Sequence, residues 1–364
     1  MKFEDLYSYS SLIYYNNSIY YITEVAGYLM RIDLSSNEIN IVGCYGKDAD
    51  EWFPYRKLIL CNESLYLIPY NKSNIVIVNI NNGNVRSIDI PDDILNSIGQ
   101  KPQYIGGFCD NDLIYMYGYN HIITCYDTKT DNFKMYDVAD VTNDLSSWFR
   151  NSWCKVNDNI YIPFYEYPRL AIIKDNSLQV VEIGVYNNIN SEYSMVFNYK
   201  NSICYVRQNE KGIISVSLYK EGLFEQPYKS IAFDINDGKD RKKGEVPFLT
   251  GYVDGESLIM LPGHGDNFGV FNIETEEVNY IKMNDCGCDS NDIRRWNFFD
   301  NAFSLNTYYS LQYRTNSLCC LIGSKIENRS LVLSETDTKK YVQSSKIMVE
   351  EKSFGLKELL STLE

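Results

Sequence analysis

Histidine is almost missing from this 364-residue chain, which has two, and proline is sparse, with nine. Two imidazoles leave little room for histidine-based acid–base chemistry or for the common zinc ligand sets. No apolar run approaches the roughly 18 residues of a membrane-spanning helix. The opening "MKFEDLYSYSS" carries acids where a signal peptide needs an apolar stretch. Positive charge is short as well: 34 Lys and Arg face 48 Asp and Glu, a formal charge of −14 at pH 7. Phosphate-rich partners need a basic footprint, and the densest basic cluster, "KDRKKGE" at 239–245, holds two acids of its own. These deficits argue against nucleic acid as a partner and against membrane insertion.

Signatures of common chemistry are missing too. There is no Gly-rich phosphate loop, no nucleophile elbow, no HExxH stretch and no Asp-box repeat. "DINDG" at 234–238 begins like a calcium loop but lacks its alternating acids and final Glu. Cys286 and Cys288 form a pair without the second pair that a zinc site needs. Neither metal nor cofactor is expected. The ten cysteines fall mostly one per apolar run, as reduced core residues of a cytoplasmic protein do.

What the chain does hold is 32 Tyr and 16 Phe beside Asn-rich turns, a bias toward strands. Stacked segments share one register: "NSIYYI", "ESLYLI", "DLIYMY", "DNIYIP", "NSICYV", "ESLIML" and "NSLCCL". Their fourth positions, Tyr20, Tyr66, Tyr115, Tyr161, Cys204, Ile259 and Cys319, are spaced 46, 49, 46, 43, 55 and 60 residues apart. Each copy follows an earlier apolar run and a turn of Asn, Asp, Gly or Ser, residues that tolerate the positive φ of tight hairpins. Two further runs, joined by a second polar turn, complete the unit. Four strands per unit and a period of about 40–50 residues indicate an all-β, seven-bladed β-propeller over residues 1–350. Six blades with 296–345 as a cap is the alternative. Residues 351–364 read as a short C-terminal helix, because Phe354, Leu356, Leu359, Leu360 and Leu363 largely share one side.

"CYDTKTDNFKMYDV" at 125–138 resembles the strand–turn–strand of kelch-type repeats, and "IGGF" at 105–108 is similar to that family's double glycine. The resemblance covers the repeat plan and implies a propeller of the kelch or galactose-oxidase type.

A meandering blade places its first-to-second and third-to-fourth turns on one face. Its second-to-third loops and the links between blades lie on the other. Here the first set is short, whereas the links at 43–54, 91–104, 139–150, 232–246 and 284–306 are long, and long loops on a rigid scaffold are where binding concentrates. All four tryptophans, Trp52, Trp148, Trp153 and Trp296, lie in or beside those links, accompanied by Arg56, Arg150, Arg294 and Arg295. Trp and Arg combine large contact area with a polar handle, which suits a protein, peptide or glycan partner. His121, His264 and Arg169 fall on the same face, completing the expected binding set. A non-catalytic recognition or scaffold protein is the reading that follows, with the C-terminal helix as a further docking element. The alternative is a carbohydrate-active hydrolase or lyase using His264, Asp266 and Glu166 at the channel mouth.

Overall fold

The structure is a computed structural model. It describes residues 8–46, 51–139, 148–165, 167–184, 193–235, 241, 245–265, 267–282, 300, 302–304, 307–312, 316–322, 325–334 and 337. The C-terminal helix expected over 351–364 lies outside the described residues.

Seven four-stranded antiparallel meanders form in chain order. Blade 1 comprises β1 (Tyr9–Tyr15), β2 (Ser18–Thr23), β3 (Tyr28–Asp33) and β4 (Glu38–Cys44). Blade 2 comprises β5 (Tyr55–Cys61), β6 (Ser64–Pro69), β7 (Asn74–Asn79) and β8 (Val85–Asp89). After the short helix α1 (Asp92–Ser97), blade 3 runs through β9 (Tyr104–Asp110), β10 (Leu113–Gly118), β11 (Ile122–Asp127) and β12 (Asn132–Asp137). Blade 4 is β13 (Cys154–Val156), β14 (Asn159–Pro163), β15 (Arg169–Lys174) and β16 (Ser177–Glu182). Blade 5 is β17 (Tyr193–Tyr199), β18 (Ser202–Gln208), β19 (Ile213–Lys220) and β20 (Lys229–Asp234). Blade 6 is β21 (Phe248–Asp254), β22 (Ser257–Pro262), β23 (Asn267–Asn272) and β24 (Val278–Lys282). Blade 7 is β25 (Ala302–Ser304), β26 (Thr307–Leu311), β27 (Ser317–Ile322) and β28 (Lys325–Ser330), followed by β29 (Val332–Leu333). The result is a seven-bladed β-propeller.

The apolar pattern explains the ring. Second strands such as β2 and β18 are buried along their whole length, because each is covered by a blade on both faces. Fourth strands such as β8 and β16 contain no buried residue and form the outer edges. Each blade-to-blade interface carries its own buried cluster. Tyr20, Leu58 and Leu67 lie between blades 1 and 2, Phe149, Ile160 and Phe164 between blades 3 and 4, and Leu12, Leu318 and Leu331 between blades 7 and 1. The core is thus a circular series of interlayers, the way a long chain of meanders removes both of its apolar faces from water.

The turns account for the recurrence in the sequence. Both central residues of the first hairpins of blades 1, 2 and 5 have positive φ, at Asn16 (46°) and Asn17 (55°), Asn62 (47°) and Glu63 (59°), and Lys200 (47°) and Asn201 (61°), while blades 3, 4 and 6 show it at Asn111, Asn157 and Gly255. This is the twist that two-residue hairpins require. At the third-to-fourth turns the side-chain oxygens of Asp33, Asn79, Asp127 and Asn272 each accept a backbone N–H two residues on, at 2.8–3.1 Å. The glycine pair of "IGGF" has a packing cause, since a Cβ on Gly106 would lie 2.2 Å from the Tyr117 ring.

Three expectations need correction. In blade 7 the register is displaced by one strand: "YYSL" falls in the second strand, β26, and "SLCCLI" is the third, β27. Tyr309, fifty residues after Ile259, is then the true repeat position. Helix is also not confined to the C-terminus. Pro91 and the acids Asp92 and Asp93 start α1, whose Ile94 buries into the interlayer of blades 2 and 3. Finally, Cys61 on β5 and Cys109 on β9 are joined as a disulfide between adjacent blades, their Cα atoms 5.8 Å apart. Cys44, Cys125, Cys154, Cys204 and Cys320 are free thiols. Thiol titration of the denatured protein should therefore gain two reactive groups on reduction, and an unchanged count would overturn the bridge.

The ring is closed by the segment after the last blade. β29 runs parallel to β4, with Val332 opposite Glu38 and Leu333 opposite Ile39. Beyond it, the buried Asp337 carboxylate accepts the Ile41 N–H at 3.0 Å and the Ser334 hydroxyl at 2.9 Å.

Candidate functional site

The first strands of the blades surround an axial channel whose open space is a cavity of about 440 Å³. Near its long-loop end Lys57 of β5 pairs with Asp300, just ahead of β25, at 2.8 Å. The same carboxylate accepts the Ser11 hydroxyl of β1 at 2.9 Å. Both charged side chains are only 12% exposed, so this is a largely desolvated pair tying blades 7, 1 and 2 together.

Around the channel mouth the main chain forms a relay from blade to blade. Phe53 N–H donates to Glu24 O, Tyr70 N–H to Pro54 O, and Gln103 N–H to Tyr70 O. Tyr119 N–H then donates to Gln103 O, Phe149 N–H to Gly118 O, and Tyr165 N–H to Trp148 O. Gly118 lies so close to the preceding link that a Cβ there would stand 2.1 Å from Gln103 O. These bonds fix the backbone of blades 1 to 4 at the rim and set an aromatic ring at each step. Trp52, Phe53, Tyr70, Tyr119, Trp148 and Tyr165 follow one another with centroids 5.8–6.3 Å apart. Trp52 and Trp148 leave 50% and 43% of their surface exposed, so the belt is partly open to a partner.

Two guanidiniums sit within this belt. Arg56 lies 4.9 Å from the Phe53 ring centre, 5.1 Å from Tyr70 and 5.9 Å from Tyr119. Arg150 lies 3.5 Å from the Tyr165 ring and 4.2 Å from Tyr193. Arg56 owes its direction to a β-bulge, because Tyr55 pairs with Pro69 and Lys57 with Ile68, leaving Arg56 as the extra residue. The same slip recurs at Ser10, Ile105 and Leu249 in blades 1, 3 and 6. Bulges commonly re-aim a side chain in this way. Burial lowers the Arg150 pKa from its usual value, and the nearby Arg56 charge adds to that, while Tyr193, Tyr165 and Tyr119 oppose it. Burial likewise pushes the Tyr193 hydroxyl up to about 12.

The other sequence-derived candidates are dispersed. Trp153 does not join the rim: it stacks on Phe108 at 4.2 Å in the wall of the channel. Arg169 pairs with Glu182 at 2.5 Å and lies over Tyr167. His121 approaches Asp137 at 3.7 Å. His264 is held by its own scaffold, with Nδ1 3.2 Å from the Val246 amide and 3.0 Å from the Val246 carbonyl. Glu166, Asp266, Arg294, Arg295, Trp296, Cys286 and Cys288 lie outside the described residues. Among the described residues no three His, Cys, Asp or Glu side chains gather as a metal site would require, and no helix is long and apolar enough to cross a membrane.

Sequence reading alone did not single out Phe53, Tyr70, Tyr119 or Tyr193. A signal existed for two of them: Tyr70 and Tyr119, like Tyr165, open the second-to-third loop of three consecutive blades, just past β6, β10 and β14.

The class this defines is a seven-bladed β-propeller with an aromatic, arginine-bearing rim. No protein-family model matches the chain, and no curated protein does. Among solved structures it is similar to PorZ, a surface component of the type-IX secretion system of Porphyromonas gingivalis, with a TM-score of 0.58 and 10% identity. That match covers 90% of this chain but only 38% of PorZ. It is also similar to the Cps50 (Swd1) β-propeller domain of Myceliophteria thermophila, at TM-score 0.54, 9% identity and coverage of 89% and 97%. U3-55K gives 0.55, 8%, and 83% and 88%. At such identities the likeness is one of fold.

Proposed function

We propose that this propeller is a non-catalytic recognition or scaffold protein that binds a protein, peptide or glycan through its long-loop face. The observation that carries the reading is the belt from Trp52 to Tyr165, held by main-chain hydrogen bonds and half open at two tryptophans. A pre-ordered aromatic surface binds without first losing much conformational entropy. The propeller neighbours PorZ and Swd1 fit a binding scaffold. Kinship with kelch-type repeats, supported by the Asp127 turn of "CYDTKTDNFKMYDV", belongs to the same proposal. So do docking through the C-terminal helix and a cytoplasmic location. The Cys61–Cys109 bridge weighs against that location, since cytosolic reductants keep such pairs open. The hydrolase or lyase alternative loses support at His264, whose Nδ1 is occupied by backbone and whose Nε2 is shielded from solvent.

The test is capture of partners from the source cell by the intact protein. The Trp52→Ala/Trp148→Ala variant should lose the partner, whereas Lys129→Ala, at a third-to-fourth turn on the opposite face, should retain it. The reverse outcome assigns the wrong face.

A further inference from the structure

We propose that the partner engages this rim with an acidic residue, a Glu or Asp side chain of a peptide segment received between Arg56 and Arg150. The inference rests on the long-loop face being the recognition surface and specifies what that surface selects.

Three observations carry it. In a chain of formal charge −14, two guanidiniums are gathered at one mouth, while Arg56 has cation–π contacts and no carboxylate partner among the described residues. Stacking covers a guanidinium's faces but not its in-plane N–H groups, and although the Tyr70 hydroxyl takes one of them, the five donors of Arg56 leave others available for a carboxylate. The fold does not require this arginine: the equivalent bulges carry Ser10, Ile105 and Leu249, so blades form without a cation at that position. And the two cations face one stretch of the rim, since Arg56 lies 5.9 Å from the Tyr119 ring and Arg150 3.5 Å from the Tyr165 ring, and both rings flank Trp148.

The surroundings favour a peptide over a free ion. Exposed Trp52 and Trp148 lie at or near the ends of the belt and offer apolar contact to residues on either side of the acid. A polyanion would meet the net negative charge of the whole molecule, whereas a single carboxylate is attracted over the screening length of about 8–10 Å.

The probe is an immobilised positional-scanning library of nine-residue peptides, screened with the intact protein and with Arg56→Gln, Arg56→Lys and Trp52→Ala/Trp148→Ala, melting temperatures being recorded for each. The expected result is selection of Glu or Asp over Gln or Lys at one or two positions by roughly 10- to 100-fold, the effect of one charge-assisted hydrogen-bonded pair. Arg56→Gln should abolish that selectivity with an unchanged melting temperature, and Arg56→Lys should restore part of it. Acid selectivity that survives in Arg56→Gln, or a preference for phosphoserine over Glu, overturns the carboxylate assignment. Neutral or basic peptides whose binding is lost in the tryptophan variant overturn it while leaving the recognition face intact. Peptides that bind the tryptophan variant as well as the wild type overturn the face itself. A library that yields no binder overturns the peptide assignment.

Discussion

Phe149→Ala should lower the unfolding free energy by about 3–5 kcal/mol, while Trp148→Ala, one residue earlier, should barely change it and instead weaken partner binding roughly 30- to 1000-fold. The two aromatics are adjacent in sequence and opposite in environment. Phe149 is fully buried, packs on Phe164 at 5.0 Å and on Tyr117 at 5.8 Å, and joins blades 3 and 4. Truncating it leaves a cavity between two rigid sheets that cannot collapse into the space. Among the described residues Trp148 makes ring contacts with Tyr119 and Tyr165 along the belt, and it keeps 43% of its surface in water. Urea unfolding of the two variants, beside a competition assay with the captured partner, measures both effects. If Trp148→Ala unfolds as early as Phe149→Ala, the tryptophan is a structural wedge and the binding rim is misassigned.

Lys57→Met should cost about 3–5 kcal/mol of stability, because it strands the Asp300 carboxylate in a poorly hydrated channel wall. Neutralising that carboxylate as well, in Lys57→Met/Asp300→Asn, should recover much of the loss, since an amide still accepts the Ser11 hydroxyl and bears no charge to desolvate. The sign of the coupling decides the matter, and a double-mutant cycle on chemical unfolding reads it. A single variant as stable as wild type would mean the pair is solvated and weak, as exposed ion pairs are. A double variant no better than the single one would mean that Lys57 acts through packing of its stem.

How far the sequence reveals this molecule depends on what repeats. The hairpins are legible because positive φ restricts their residues, so Asn and Gly recur wherever the chain reverses. Blade 7 is misread because β25 has only three residues and little apolar signal, while "YYSLQY" and "NSLCCL" mimic a first and second strand. α1 is too short for helical periodicity to register, although Pro91 followed by two acids marks its start. The Cys61–Cys109 separation of 48 matches the repeat period, a hint that the two sulfurs occupy neighbouring blades, but spacing alone does not fix which side chains meet. Trp52 and Trp148 stand out by residue type. Their alignment with Tyr70 and Tyr119 arises from hydrogen bonds between links of unequal length, which no period encodes.

The contact of β29 with β4 also has a bearing on synthesis. At ~5–20 residues per second, the closing strand leaves the ribosome roughly 15–60 s after β4. Through that interval the first blade can hold its meander, but its outer edge offers unpaired main-chain groups to any strand nearby. The first blade of the ring is therefore the last to be secured. A polypeptide stalled before Val332 would carry six or more nearly finished blades and still expose an adhesive edge. Such products are natural targets for chaperone retention or degradation, so the two residues of β29 give the cell a late marker of a closed ring.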